Sequence, residues 1–240
     1  MKKVFEILKC LMLVAVIVVF MVFTLKKQEK VKCEQFDVLL LATEDHFVNN
    51  QMINELLNNK NLHPLEKRNE KISIHEMEES IINHSSIKTA NVYSDIAGNI
   101  SVEIRQRKVI ARIINENQSY YIDEEGKDMP LSDYFTARTL VISGSVGVAD
   151  KQELFKMASF INEHQFWKAQ VMQIHIEENG DLVLIPRVGY HQIIFGKAKN
   201  FEEKFTNLKL FYEKGIAHKG WNNYSKINLK FKNQIVCTKK

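Results

Sequence analysis

Apolar and polar positions divide this chain into one long apolar run and a series of short periodic segments. Residues 7–25 are apolar nearly throughout, and the sixteen positions 10–25 carry no charged side chain. About 20 apolar residues suffice to cross the hydrocarbon core of a bilayer as a helix. Residues 7–25 are therefore predicted to form a transmembrane helix, with 1–6 as a short tail and the Lys-rich residues 26–35 as a linker. Lys9 stands at the edge of the run, where its long side chain can snorkel to the headgroups. The run ends Phe20-Met21-Val22-Phe23-Thr24-Leu25, which offers no small-residue cleavage pattern, so a retained anchor is expected rather than a cleaved signal peptide. Lys2, Lys3 and Lys9 nearly balance Lys26, Lys27, Lys30 and Lys32 across it, so the positive-inside rule does not orient it.

Residues 36–42 form a short apolar run of buried-strand length. Residues 49–58 place Met52, Ile53, Leu56 and Leu57 at helical spacing, and 62–71 are polar with Pro64, a loop pattern. Ser73-Ile74-His75-Glu76 is a capping-box pattern, opening a helix with Ile74, Met77, Ile81 and Ile82 on its inner face. Ala90 and Val92 then alternate with Asn91 and Tyr93. After the turn Asp95-Ile96-Ala97-Gly98, Ile100, Val102 and Ile104 alternate with Ser101, Glu103 and Arg105. This is an antiparallel hairpin with one buried face. Residues 36–108 thus read as a small α+β domain: strand, helix, helix, strand, strand.

From Val109 onward strands predominate. Residues 109–114 and 120–122 are predicted strands, Asp123-Glu124-Glu125-Gly126 a turn, and 140–143 a strand closed by Gly144. Residues 151–162 form a helix with Leu154, Phe155, Ala158 and Ile161 inward. Met172, Ile174 and Ile176 share one strand face, with His175 on the other. Asn179-Gly180 signals a hairpin that returns through Leu182 and Leu184, and 192–195 form another strand. A second helix opens at Asn200, buries Phe201, Phe205, Leu208 and Tyr212, and stops at Gly215. Ile227, Leu229 and Phe231 alternate with Asn228, Lys230 and Lys232. A tight turn at Lys232-Asn233 leads to a last strand over 234–238. Residues 109–240 read as a larger mixed β domain with two helices and a terminal hairpin. The fold class is α+β behind a single N-terminal transmembrane helix.

Composition sharpens this picture in two places. The chain has a net charge of +4, but residues 1–35 hold seven lysines against three acidic residues, and the remainder holds 26 basic and 26 acidic side chains. A nucleic-acid binder concentrates basic charge on its folded domain; here it lies beside the apolar run, where lysine interacts with anionic headgroups. The three cysteines, Cys10, Cys33 and Cys237, are too few and too scattered for a disulfide framework, and unpaired thiols are expected.

Candidate chemistry is sparse. His75-Glu76-Met77-Glu78-Glu79 begins like a zincin helix, but Glu79 stands where the second histidine ligand is needed. Gly144-Ser145-Val146-Gly147 has neither the spacing of a nucleophile elbow nor the lysine of a phosphate loop. The Asp123-Glu124-Glu125 cluster sits in a glycine turn and reads as solvated. Phe166, Trp167, Trp221 and Tyr224 read as core aromatics more readily than as an exposed patch. No catalytic residue, metal site or cofactor is expected. The last strand is the exception. If it is also last in the sheet, its outer edge offers unpaired N–H and C=O groups to a partner strand; the bland alternative is an edge protected by Lys230, Lys232, Lys239 and Lys240.

Taken together, the layout resembles the FtsQ/DivIB family of bacterial cell-division proteins, with a POTRA-like domain after the anchor. Asn91-Val92-Tyr93-Ser94 and Asn99-Ile100-Ser101-Val102-Glu103-Ile104 match the family's POTRA hairpin. Arg107-Lys108-Val109-Ile110-Ala111-Arg112 resembles its E-R-x-P-x-A-R junction, with Gln106 in place of the acidic residue and Val109 in place of proline. Tyr121-Ile122-Asp123-Glu124-Glu125-Gly126 resembles its V-D-x-x-G turn, and Lys226-Ile227-Asn228-Leu229-Lys230-Phe231 its penultimate strand. The resemblance implies a cytoplasmic N-terminus, a periplasmic bulk at the inner membrane and septum, and a non-enzymatic scaffold that binds FtsB-like and FtsL-like coiled-coil proteins. The implied site is the edge formed by Phe231, Lys232, Asn233, Gln234, Ile235, Val236, Cys237 and Thr238. A later aromatic of the family falls close to Lys239 and is missing here. An anchored POTRA-containing component of a transport or secretion system, binding strands near Val92, is the alternative.

Overall fold

The computed structural model describes residues 9, 11–21, 31–41, 45–116, 118–216, 220–232 and 234–240. Residues 11–21 are helical (α1) and exposed along their whole length. Among the described residues no helix is long and apolar enough to cross a membrane. Eleven residues of helix rise about 16 Å, and apart from Lys9 the rest of the expected span 7–25 lies outside the described residues. The chain otherwise forms two compact units, which divide between Gln106 and Arg107.

The first unit runs β1 (Phe36–Leu40), α2 (Asn50–Asn59), α3 (Ile74–Ile82), β2 (Ile87–Ser94) and β3 (Ile100–Gln106). β3 is central in a three-stranded sheet, parallel to β1 and antiparallel to β2. Both helices begin on side-chain caps. Asn49 Oδ1 accepts from the Met52 N–H at 2.8 Å, and Ser73 Oγ from the Glu76 N–H at 3.3 Å, each satisfying a donor the helix cannot pair itself. The core joins Ile53, Leu57, Met77 and Ile81 to Val92, Val102 and Ile104. Ile82, expected inward, is 43% exposed while Ser80 is buried. At 100° per residue Ile82 lies well round the helix from Met77, and the inner face passes through residues 77, 80 and 81. Gln106, where the family pattern has an acid, is buried and accepts the Val48 N–H at 2.9 Å.

The second unit is a nine-stranded open sheet ordered β12-β11-β10-β9-β8-β7-β4-β5-β6. Its strands are β4 (Val109–Ile114), β5 (Ser119–Asp123), β6 (Asp128–Met129), β7 (Leu140–Gly144), β8 (Val171–Ile176), β9 (Leu182–Pro186), β10 (Gln192–Gly196), β11 (Tyr224–Asn228) and β12 (Val236–Lys239). The pairs β4–β7, β7–β8 and β10–β11 are parallel and the others antiparallel. Helices α4 (Lys151–Glu163) and α6 (Phe201–Phe211) contribute Leu154, Met157, Ala158, Ile161, Phe201, Phe205 and Leu208 to the core against it.

Five expectations differ here. A third helix, α5 (Gln165–Gln170), follows the break at His164; it buries Trp167 with its ring 4.7 Å from Phe205. Met172 is 42% exposed, because a β-bulge between Val171 and Gln173 moves the inward position to Val171. Asn200 does not cap α6 with its side chain but takes a left-handed conformation (φ 53°), and beyond α6 the helix continues as a π-turn over Tyr212–Ile216, past Gly215. The strand through Ile227 ends at Asn228, leaving Phe231 49% exposed.

Candidate functional site

The two edges of the nine-stranded sheet are unequal. β6 is two residues long, and Arg107 donates to the carbonyls of Lys127 and Asp128 at 3.0 and 3.1 Å. The same guanidinium holds Asp123 Oδ2 at 2.7 Å, with side-chain exposures of 13% and 4%. Asp123 Oδ1 in turn accepts the N–H groups of Glu125 and Lys127. The acidic cluster is thus a braced turn, and the arginine that opens the second unit is committed to it. Short, braced edges resist strand addition.

At the other end stands β12. It pairs antiparallel with β11 in the register Lys226↔Thr238, Ile227↔Cys237 and Asn228↔Val236, with a bulge between Tyr224 and Lys226. The Ser225 hydroxyl at that bulge lies 3.2 Å from Thr238 O and 3.3 Å from Lys239 O. The Lys240 N–H donates inward to Asn223 O at 3.1 Å. Main-chain N–H groups alternate sides along a strand, so with that of Lys240 those of Thr238 and Val236 turn to β11, while the N–H groups of Lys239 and Ile235 turn away from it. Side chains alternate likewise. Ile235 and Cys237 pack partly against the core, and Val236 is 44% exposed on the other face.

The approach to β12 is held in place by charge. Lys230 Nζ lies 2.6 Å from Asp181 Oδ2 and Lys197 Nζ 3.3 Å from Oδ1. The hydrogen bond from Lys230 holds the Asp181 carboxyl below its ordinary range and lifts Lys230 above its own. Beside this clasp a cleft opens between α6 and the segment leading to β12, lined by Glu203, Asn207, Phe231, Gln234 and Ile235. Of the site residues expected from sequence, the structure brings Val236, Cys237 and Thr238 onto the edge strand and Phe231, Lys232, Gln234 and Ile235 to its approach; Asn233 lies outside the described residues. Lys239, expected only as a charge guarding the edge, is itself part of the edge strand, and Ser225 and the α6 face were not anticipated. The strand's extension to Lys239 has no distinct local signal, and the α6 contact is non-local.

Other candidate groups find structural settings. Glu78, in the zincin-like segment, accepts the Val92 N–H at 3.1 Å. Trp167 and Tyr224 are buried, and Trp221 packs 5.0 Å from Tyr212. His191 is 2% exposed; its Nε2 meets Tyr212 Oη at 3.0 Å while its Nδ1 has no hydrogen-bond partner among the described residues. Burial, and then the charge of Lys240, lower the His191 pKa. Among the described residues no group of three or more His, Cys, Asp or Glu is placed to hold a metal ion.

Residues 108–238, more than half of the chain, match the family described as FtsQ/DivIB, C-terminal related. The chain belongs to the FtsQ/DivIB family. Residues 31–105 match a POTRA-like domain, so the family match takes in the nine-stranded sheet and the POTRA-like match the three-stranded one. No curated protein matches the chain. The FtsQ/DivIB family is a family of non-enzymatic, division-site membrane proteins. A POTRA-like domain followed by an FtsQ/DivIB sheet fits a division scaffold.

Proposed function

We propose that this FtsQ/DivIB protein is a scaffold of the bacterial division machinery, anchored by residues 7–25 with its N-terminus cytoplasmic and its bulk periplasmic. In this reading it captures a strand of an FtsB-like partner, itself associated with an FtsL-like protein, along the outer edge of β12. The observation that carries the reading is the position of β12 as the terminal strand of the sheet, where strand alternation directs the N–H groups of Ile235 and Lys239 away from β11. An open ladder edge offers main-chain bonds for affinity, and the neighbouring cleft offers selectivity. Tethering serves the same end: two partners anchored in one membrane meet at a raised effective concentration. No step of this function needs catalysis or a cofactor.

The test exploits the alternation. Ile235→Pro and Lys239→Pro each delete an outward donor, whereas Val236→Pro deletes one that serves the internal ladder. A lost main-chain bond is worth roughly 1 kcal/mol, close to a tenfold change in affinity for 1.4 kcal/mol. Ile235→Pro and Lys239→Pro should each weaken capture of the FtsB-like partner about fivefold or more, with circular dichroism unchanged for Lys239→Pro. Val236→Pro should lower stability as well. Undiminished capture by both outward variants sinks the edge-strand site. The transport alternative, with passenger strands bound near Val92, is disfavoured because that N–H is already taken by Glu78.

A further inference from the structure

Residues 31–35 enter the first unit between two loops. On one side the Asn69 N–H donates to Val31 O (2.9 Å), the Cys33 N–H to Lys67 O (2.9 Å) and the Glu66 N–H to Cys33 O (2.8 Å). On the other the Gln35 N–H donates to Asn99 Oδ1 (3.2 Å) and the Ile100 N–H to Gln35 O (3.0 Å). Gly98, at φ +88°, sits so close that a Cβ there would stand 2.9 Å from Val31 Cγ1. The β2–β3 turn is therefore clasped to the point where the chain enters.

Each of these two loops exposes one large apolar side chain. Ile96, at the tip of the turn, is 91% exposed, and Leu65 is 44% exposed. The neighbouring Asp95 turns its carboxylate back onto Asn99, 2.8 Å from its N–H and 2.9 Å from Nδ2, so the acid is engaged in the turn rather than extended beyond it. Leu25, the last residue of the apolar run, precedes Val31 by six positions. Six residues reach at most about 20 Å even when fully extended. Any bilayer holding residues 7–25 is thus within a short covalent reach of both loops. Lys26, Lys27 and Lys30 lie in the intervening sequence, and lysines there favour anionic headgroups.

We propose that Ile96, supported by Leu65, inserts at the headgroup–acyl boundary of an anionic lipid bilayer and docks the POTRA-like unit on the membrane surface. The inference rests on the anchor reading above. An apolar side chain exposed within reach of such a boundary lowers its free energy by leaving water, and the contact would restrict how this unit is presented to its partners.

The experiment uses the full chain reconstituted into phosphatidylcholine–phosphatidylglycerol vesicles, with ordinary or brominated acyl chains. Tryptophan is introduced as Ile96→Trp and, separately, as Leu65→Trp, and the wild-type emission of Trp167 and Trp221 is subtracted. The added emission of Ile96→Trp should fall at least about twofold in brominated vesicles, and Leu65→Trp should fall less. If the chain floats with the vesicles and Ile96→Trp emission is the same in both lipids, the lipid contact is overturned while the anchor stands. If the chain fails to float, the anchor reading falls, and this inference with it.

Discussion

At the scale of single residues, the second unit is organised by a few buried polar groups whose partners come from distant sequence. Arg107 ties the start of β4 to the Asp123 turn, which gives physical content to two short motifs that by themselves look unremarkable. His191 is the most consequential of the others. Its Nε2 meets Tyr212 and its Nδ1 has no partner among the described residues, while burial and, secondarily, Lys240 lower its pKa from 6.5. Tyr212, itself raised by burial, and Lys240 are the titratable groups that face it, and neither offers a negative charge near neutral pH. The unfolded state therefore binds the proton more readily than the folded state. The stabilisation is complete above about pH 6.5 and is lost as pH falls below that value toward the folded pKa. Denaturant unfolding between pH 7.5 and 5 should show stability falling with pH, and His191→Phe should flatten that part of the dependence. An unchanged slope in His191→Phe would exclude His191 as its source.

At the scale of elements, strand ends and bulges matter more than strand centres. The bulge at Val171–Gln173 exposes Met172, and the bulge at Tyr224–Lys226 sets Ser225 against the carbonyls of β12. Gly144 shows how little room such junctions leave. At φ +86°, it would place a Cβ 2.3 Å from Ile176 O, where the Ser145 N–H already donates at 2.9 Å. Gly144→Ala must move backbone as well as adopt a disfavoured conformation, and should cost roughly 2 kcal/mol or more in urea unfolding. A cost below a few tenths would mean that the β7–β8 junction relaxes freely.

At the scale of the whole molecule, the asymmetry of the large sheet is the feature on which the proposed function rests. β6 is short and braced by Arg107, whereas β12 is longer and open. A division scaffold anchored at the membrane would use that edge at one place in the cell. A fluorescent fusion of the full chain should concentrate at the division plane, and removal of residues 1–25 should disperse it while leaving both folded units intact by circular dichroism. Uniform fluorescence around the envelope from the full-length fusion would argue against the division role.

Sequence alone determined the local and periodic features. Period-two alternation in β2 and β3, the Asn49 and Ser73 helix starts, and the glycine turns at Gly98, Gly126 and Gly180 depend on side-chain spacing and on torsions available within a few residues. The order of strand, helix, helix, strand, strand in the first unit was legible for the same reason, and so was the family resemblance. Tertiary structure decided what depends on non-local contacts: that β12 rather than β6 is the open edge, and which of its residues turn their backbone groups outward. It also decided that Ile82, Met172 and Phe231 face solvent, and that α5 forms to bury Trp167. A hydrophobic pattern records that a residue favours burial. Whether a neighbouring strand, a bulge or a helix 50 residues away supplies that burial is settled only when the elements pack.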